Sequence, residues 1–332
     1  MRLLLVRLSD GMVAEVLSGL RSQVDFAITV QQVASTEHPA HARPDLQIRD
    51  WPSEPDPQLT YDLFRRLILG FAVTHALVCQ PLLWYSDQVE RACRDSGVRL
   101  TWCVTAPDGK IGFDSCGSQY TERNDLGYDA LFPPGDVSAF ATKHPQPPKG
   151  SLGHDPEALV VWGQVPWDMS HVSHHGVPYE KWINAALRQP GRVVYKRHPC
   201  ITADGDVADV PPAVEVTDAH IDDLLALTPW HAAFSSTVII EGQARGGCFF
   251  ATGGRHFTDD PRWVLRTTAE ALVPALRAHT EARTAQDEIL LRRRISFVQS
   301  EWLLPGADSR VLLRLRTDAK TYFERRACAR SV

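Results

Sequence analysis

The alternation of strand-like and helix-like segments predicts an α/β fold of two doubly wound domains. Three observations carry that expectation. Short runs rich in Val, Leu and Ile recur between amphipathic stretches, the pattern of parallel strands buried on both faces. The alternation breaks at residues 143–150 (KHPQPPKG), where three prolines and a glycine continue neither a helix nor a central strand, and then restarts. At 332 residues the chain is also about twice a typical single domain. The expected layout is a first domain over 1–150, a second over 151–285, and a helical segment over 286–332 packing back on the first.

In the first half, Arg2 to Leu8 reads as a buried strand. Gly11 to Ser22 has helical spacing, with Val13, Val16, Leu17 and Leu20 on one face. Phe26 to Val33 reads as a strand, and a Pro-rich stretch runs from His38 to Pro57. Leu59 to Thr74 reads as a helix, His75 to Gln80 as a strand, Ser86 to Ser96 as a helix capped by Ser86, and Val98 to Thr105 as a strand. After the linker, strands are expected at Glu157 to Val165, Arg192 to Arg197, Ala213 to Thr217, His231 to Ser235 and Cys248 to Thr252. Helices are expected at Tyr179 to Leu187, Ile221 to Leu227 and Val238 to Arg245. From Arg262 to about Arg294 the pattern is mostly helical, with Pro274 as a kink or break.

Composition narrows the function. Hydrophobic residues are 44% and charged residues 23%, which suits a globular chain and not a disordered one. The formal charge of −5 argues against a chain-wide surface for nucleic acid. No apolar run reaches the length of a membrane span, and the N-terminus lacks a signal-peptide core, so a cytoplasmic protein is expected. Seven cysteines with no C-x-x-C pair read as reduced thiols. From residue 291 onward ten Lys and Arg stand against four acids, interleaved with apolar residues. That tail reads either as a solvated helix face packing on the first domain or as peripheral contact with an anionic inner-membrane surface.

In open parallel sheets ligands bind outside the carboxyl ends of the strands, so chemistry is sought just after each strand. Three segments qualify. Gln164 to Asp168 follows the first strand of the second half. A carboxylate such as Asp168 at that edge can be a nucleophile, a base or a hydroxyl acceptor, and it can equally be a turn residue. Lys196, Arg197, His198 and Pro199 end the next strand, where an anion would bind, or form a plain surface strand end. Ser235, Ser236 and Thr237 lead into an apolar helix that carries Glu241. Free N–H groups and hydroxyls there suit a phosphate, and Glu241 suits two ribose hydroxyls; simple N-capping uses the same residues. His171, His174 and His175 form H-x-x-H-H in a loop, and no metal is expected there. No G-x-G-x-x-G, Walker A or G-x-S-x-G sequence is present, which argues against common dehydrogenases, P-loop kinases and α/β-hydrolases.

In order and spacing, Q-x-x-x-D (Gln164 to Asp168), H-P (His198-Pro199) and S-S-x-x-x-x-E (Ser235 to Glu241) resemble the capsule polysaccharide synthesis glycosyltransferases. The closest group is the retaining β-Kdo transferases that use CMP-Kdo. A looser match covers Trp84 to Gly97, Pro107-Asp108-Gly109 and Phe113 to Gly117, with Pro107 where the family carries an acid. The resemblance spans about residues 70–260. It implies a GT-B fold: two Rossmann-like domains with a cleft between them and the donor held mainly by the second. It implies Asp168 as a nucleophile forming a glycosyl-enzyme, with Gln164 and Asp108 as further catalytic positions. His198, Pro199, Ser235, Ser236 and Thr237 would hold the CMP phosphate, Glu241 the ribose, and Lys196 or Arg197 the phosphate or the sugar carboxylate. It implies no cofactor beyond the nucleotide sugar, no metal, and a glycan or glycolipid acceptor. Two other readings remain open on the sequence: a GT-B transferase with another donor or a nucleic-acid base as acceptor, and a non-catalytic sugar-nucleotide binding subunit.

Overall fold

The structure is a computed structural model. It describes residues 1–6, 10–20, 23–30, 46–48, 56–79, 86–105, 110–114, 152–164, 177–199, 201, 206–236, 238–251, 262–266, 270–297, 303–308 and 310–316. The chain divides into two compact units, Met1–Leu131 with Val298–Val332, and Phe132–Phe297.

The first unit is built on strands β1 (Arg2–Val6), β2 (Phe26–Val30), β3 (Leu46–Ile48), β4 (His75–Cys79), β5 (Arg99–Thr105), β6 (Lys110–Asp114) and β13 (Leu303–Pro305), with helices α1 (Asp10–Leu20), α2 (Pro57–Gly70), α3 (Ser86–Asp95) and α9 (Arg310–Arg316). The strand order is β13-β6-β5-β4-β1-β2-β3. β1 to β5 are parallel, and β6 and β13 add antiparallel pairs at one edge. Residues of β1 alternate between two cores, as strand side chains must. Leu4 and Val6 pack with Tyr61, Phe64 and Ile68 of α2 and with Val89 and Ala92 of α3. Leu3 and Leu5 pack with Val13 and Val16 of α1 and with Val311 and Leu315 of α9. Gly19 permits the approach of the turn before α9, since a Cβ there would lie 2.6 Å from the Ala307 carbonyl carbon. Residues 303–305 and 310–316 thus return to the first unit as a strand and a helix, whereas 286–297, expected to pack back with them, belong to the second unit. Arg314 is buried, and Arg310 is held by Asp308 at 2.6 Å, so neither adds to an exposed basic face.

α2 starts where the sequence signals are strong. Pro57 takes the first turn, and the Asp56 carboxylate accepts from the backbone N–H of Gln58 (2.9 Å) and Leu59 (3.0 Å). It ends at Gly70, not at Thr74 as the spacing suggested. Ala72 takes φ 48°, and the Val73 N–H reaches back to the Ile68 carbonyl at 2.9 Å, which closes the helix in a Schellman turn.

The second unit holds β7 (Leu159–Trp162), β8 (Val193–Lys196), β9 (Glu215–Thr217), β10 (Trp230–Ala233), β11 (Cys248–Phe250) and β12 (Val264–Leu265), with α4 (Tyr179–Leu187), α5 (Ile221–Leu227), α6 (Val238–Ala244), α7 (Leu272–Glu281) and α8 (Ala285–Phe297). All described pairs are parallel, in the order β12-β11-β10-β7-β8-β9. Counted within the unit this is 6-5-4-1-2-3, the Rossmann order. One face is covered by α4 and α7 through Tyr179, Trp182, Ile183, Leu272 and Leu276. Trp182 stacks on Phe250 (5.6 Å) and meets Phe234 edge-on (5.4 Å). Pro274 neither kinks nor ends a helix. It sits in the first turn of α7, where its missing N–H would have had no partner. α8 begins at a reciprocal cap: Asp287 accepts from the N–H and hydroxyl of Thr284, and Thr284 Oγ1 accepts from the Asp287 N–H.

Among the described cysteines, Cys79, Cys93, Cys103 and Cys248 are buried free thiols. Burial pushes the Cys93 thiol up to about 12 and the Cys103 thiol up as well, so both stay protonated. Among the described residues no helix is long and apolar enough to cross a membrane.

Candidate active site

β7 is the switch strand of the second sheet: β8 lies on one side of it and β10 on the other. The chain runs from β7 to β8 on one side and from β10 to β11 on the other, and the crevice at such a switch point is where these sheets bind ligands. The register places Lys196, Trp162 and Ala233 side by side as the last residues of three adjacent strands. The next residues are Arg197, Gly163 and Phe234, followed by His198, Gln164 and Ser235. Segments far apart in sequence therefore end at one edge.

Gln164 joins two of them. Its Oε1 accepts from the Ser235 N–H at 2.7 Å, and its Nε2 donates to Ser235 Oγ at 3.1 Å. Its own N–H donates to the Tyr179 hydroxyl oxygen at 2.7 Å. Gln164 and Ser235 are each 7% exposed, so these bonds form out of water. Gln164, anticipated as catalytic, is a buried latch across the switch point. Tyr179 is fixed by its edge contact with Phe234 at 5.4 Å. Burial raises its hydroxyl pKa, so it stays protonated.

Gly163 makes the neighbouring approach possible. Its N–H continues the ladder to the Lys196 carbonyl at 2.8 Å. A Cβ there would lie 2.7 Å from Tyr195 Oη and 3.2 Å from the His198 backbone nitrogen. The missing side chain at residue 163 leaves room for the end of β8 and the Tyr195 ring to lie this close to β7.

The basic triplet is divided in role. Arg197 Nε donates to Asp206 Oδ2 at 2.9 Å, and the same oxygen accepts from Tyr195 Oη at 2.8 Å. The other Asp206 oxygen accepts from the Ala208 N–H at 3.1 Å. The Asp206 side chain is only 5% exposed, so Arg197 already has a buried counter-charge. Burial, with the Asp206 contact adding to it, raises the Tyr195 hydroxyl pKa, so Tyr195 remains a donor. Lys196 lies 3.9 Å from the fully exposed Asp218, a loose pair of little energetic weight. His198 is half-buried, and its carbonyl accepts from the Ile201 N–H at 2.9 Å, closing the turn through exposed Pro199.

At the end of β10 the capping reading of the serines holds for Ser236. Its Oγ accepts from the Val238 N–H at 3.3 Å, and its carbonyl accepts from the Ile239 N–H at 3.1 Å. α6 has seven residues, with Glu241 half-buried in its first turn. Below the crevice, His231 is fully buried on β10, stacked on Phe249 at 4.9 Å. Trp162 Nε1 donates to its Nδ1 at 3.4 Å, and burial pulls its pKa down to about 3. It is a neutral core group and not an acid–base catalyst at ordinary pH.

The structure thus brings Gln164, Lys196, Arg197, His198, Pro199, Ser235, Ser236 and Glu241 to the carboxyl-end region of one sheet. Asp168, Thr237 and Asp108 lie outside the described residues, as do His171, His174 and His175. Among the described residues no three His, Cys, Asp or Glu side chains cluster as metal ligands. Tyr179, Tyr195 and Asp206 were not singled out as site-building residues from the sequence, because no local spacing marks their pairings.

No family model matches the sequence, and no curated protein matches it. Solved structures do match in fold. The β-Kdo 2,4 transferase of Thermosulfurimonas dismutans KpsC aligns with a TM-score of 0.50 at 14% identity, over 87% of this chain and 89% of that one. The β-Kdo 2,7 transferase of the same KpsC aligns with a TM-score of 0.51 at 12% identity, over 88% and 90%. A glycosyltransferase from Rickettsia africae ESF-5 aligns at 0.46 and 11% identity, over 94% and 97%. Two Rossmann-like units and the likeness to both KpsC transferases define the class: the chain has the GT-B fold.

Proposed function

We propose that the chain is a glycosyltransferase whose second unit holds a nucleotide-sugar donor at the β7–β10 crevice, with CMP-Kdo as the donor and a surface polysaccharide or glycolipid as the acceptor. The observation that carries the reading is the Gln164–Ser235 latch. It joins the start of the Q-x-x-x-D segment to the start of the S-S-x-x-x-x-E segment, and β8 delivers the H-P segment alongside. The described parts of three motifs that resemble one transferase family, Gln164, His198-Pro199 and Ser235, follow the carboxyl ends of adjacent strands, the region where this topology binds ligands.

In this reading Asp168 attacks the anomeric carbon as the bond to the CMP phosphate breaks, the electron pair leaving on the phosphate. The acceptor hydroxyl then displaces Asp168, its proton leaving to water, and two inversions give net retention. Lys196 and the His198 turn meet the phosphate, and Glu241 accepts from the ribose hydroxyls. Cations and backbone donors stabilise the departing phosphate, so the proposal includes no metal. Pro107 ahead of Asp108 favours a second reading, a sugar-nucleotide binding subunit without turnover.

A thermal-shift screen over CMP, UDP, GDP and dTDP sugars tests the donor site, since a ligand that binds only the folded chain must stabilise it. Stabilisation by CMP-Kdo is expected. A shift with another nucleotide sugar alone would remove CMP-Kdo and keep the transferase, and a flat screen would remove both. Asp168→Asn then separates the two readings: turnover falls at least 1,000-fold with donor affinity kept in an enzyme, whereas wild-type chain that binds donor without turnover is the binding subunit.

A further inference from the structure

The outward face of α2 is palindromic. Its inward residues Thr60, Tyr61, Phe64, Leu67 and Ile68 are buried. Its outward stripe is Leu59, Asp62, Arg66 and Leu69, spaced three, four and three residues apart, which is the a/d spacing of a coiled-coil seam. Leu59 is 60% exposed and Leu69 58%. Positions equidistant from Phe64 are complementary: Leu59 with Leu69, Asp62 with Arg66, and Gln58 with the small Gly70. The stripe lines an open groove of about 650 Å³ formed by Leu59, Asp62, Arg65, Arg66, Leu69 and Gly70.

Among the described residues the two charges of this stripe have hydrogen bonds but no counter-ion. Asp62 and Arg66 stand one turn apart, where a carboxylate and a guanidinium commonly pair, yet among the described residues they form no ion pair. Asp62 accepts instead from Gln58 Nε2 at 3.1 Å, and Arg66 Nε donates to the Asp62 carbonyl at 3.3 Å. The flanking groups are satisfied at home. Tyr61 donates to Asp95 at 2.9 Å, Arg91 lies 3.6 Å from Asp95, and its guanidinium covers the Tyr61 ring at 4.4 Å.

We propose that α2 is a self-association surface that docks antiparallel on α2 of a second copy of this chain. A two-fold axis level with Phe64 sets Leu59 on the partner's Leu69, and Asp62 against the partner's Arg66, each contact occurring twice. A mixed-sign stripe that matches its own reversal selects a copy of itself over an unrelated apolar partner. One pair of 14-residue helices buries less than the roughly 1,200 Å² of a standard stable interface, so the dimer is weak, with a dissociation constant on the order of 10 µM. This surface is independent of the proposed donor site.

The test is sedimentation equilibrium from about 1 to 500 µM with charge variants at half-buried Asp62 and exposed Arg66, folding being checked by circular dichroism. Wild type is expected to dimerise with rising concentration. Asp62→Arg alone and Arg66→Asp alone each set like charges face to face twice, and each should weaken dimerisation at least 10-fold. An equimolar mixture of the two variants restores opposite charges at both contacts and should form a heterodimer within about threefold of wild-type affinity. A wild type monomeric at 500 µM, single variants that dimerise as before, or a mixture that stays monomeric would each overturn the proposal. Binding of a monomeric wild type to anionic vesicles would assign the stripe to a lipid surface and overturn it too.

Discussion

Replacing Gln164 by Leu removes both halves of the latch while keeping a side chain of similar volume. Ser235 is then left with a backbone N–H and a hydroxyl, both buried, that lose partners at 2.7 and 3.1 Å. Each buried group that loses this partner costs about 1–3 kcal/mol, and the added apolar burial returns about 1 kcal/mol, so a net loss of about 3 kcal/mol is expected. For a unit of this size that corresponds to a fall in Tm of roughly 6–12 °C. Ser235→Ala removes only the hydroxyl and should cost about 1 kcal/mol. The two changes share one bond, so the double mutant should lose about 1 kcal/mol less than the sum. Urea unfolding followed by tryptophan fluorescence reads all three, and Trp162 reports on the end of β7. A Gln164→Leu variant within about 0.5 kcal/mol of wild type, or strictly additive losses, would refute the latch.

Other expectations concern pH, backbone and the crevice. The His231 pKa lies near 3 when folded and near the ordinary 6.5 when unfolded, so its contribution is complete above 6.5 and is lost as pH falls towards 3. Between pH 7 and 5 this removes about 2 kcal/mol, and His231→Phe should flatten that part of the stability–pH curve relative to wild type; equal slopes would contradict the buried neutral state. Ala72 closes α2 at φ 48°, so Ala72→Gly should raise stability by about 1 kcal/mol, and a loss on urea unfolding would count against the Schellman turn. Gly163→Ala must push away Tyr195 Oη and the His198 backbone. It should weaken donor-nucleotide binding by calorimetry at least 10-fold, and unchanged affinity would separate Gly163 from the ligand site.

The α/β layout was readable because its strong elements are local. Tyr179–Leu187 and Ile221–Leu227 match the expected helices end to end, since the amphipathic spacing lies within each segment. The elements that escaped are short or marked by weak signals. β3, β12 and β13 have two or three residues, too few for any period to register, and β6 is an antiparallel addition at the sheet edge. The end of α2 was overrun because Ala72 takes the left-handed place that a glycine would have advertised. At the site, the motif residues were visible as patterns, but the bonds among them were not. Gln164 reaches a residue 71 positions away, and Tyr195 and Arg197 share Asp206 across a turn. The first pairing is set by strand order and the second by the course of the loop after β8, and no residue spacing within a segment encodes either.

The two cations that end β8 illustrate what strand order adds. From the sequence, Lys196 and Arg197 are interchangeable anchors for an anion. In the fold they are not. Asp206 sits under Arg197 with a carboxylate closed off from water, also receives the Tyr195 hydroxyl and the Ala208 N–H, and so ties the end of β8 to the chain that follows it. A guanidinium so matched contributes shape more than net charge. Among the described residues Lys196 pairs with a fully exposed carboxylate at 3.9 Å, a partner that water screens and an incoming anion could displace at small cost. Arg197 is therefore the strut of this edge and Lys196 its available charge. From the residues alone either cation could meet a donor phosphate; in the fold Arg197 carries a buried counter-charge and Lys196 an exposed one.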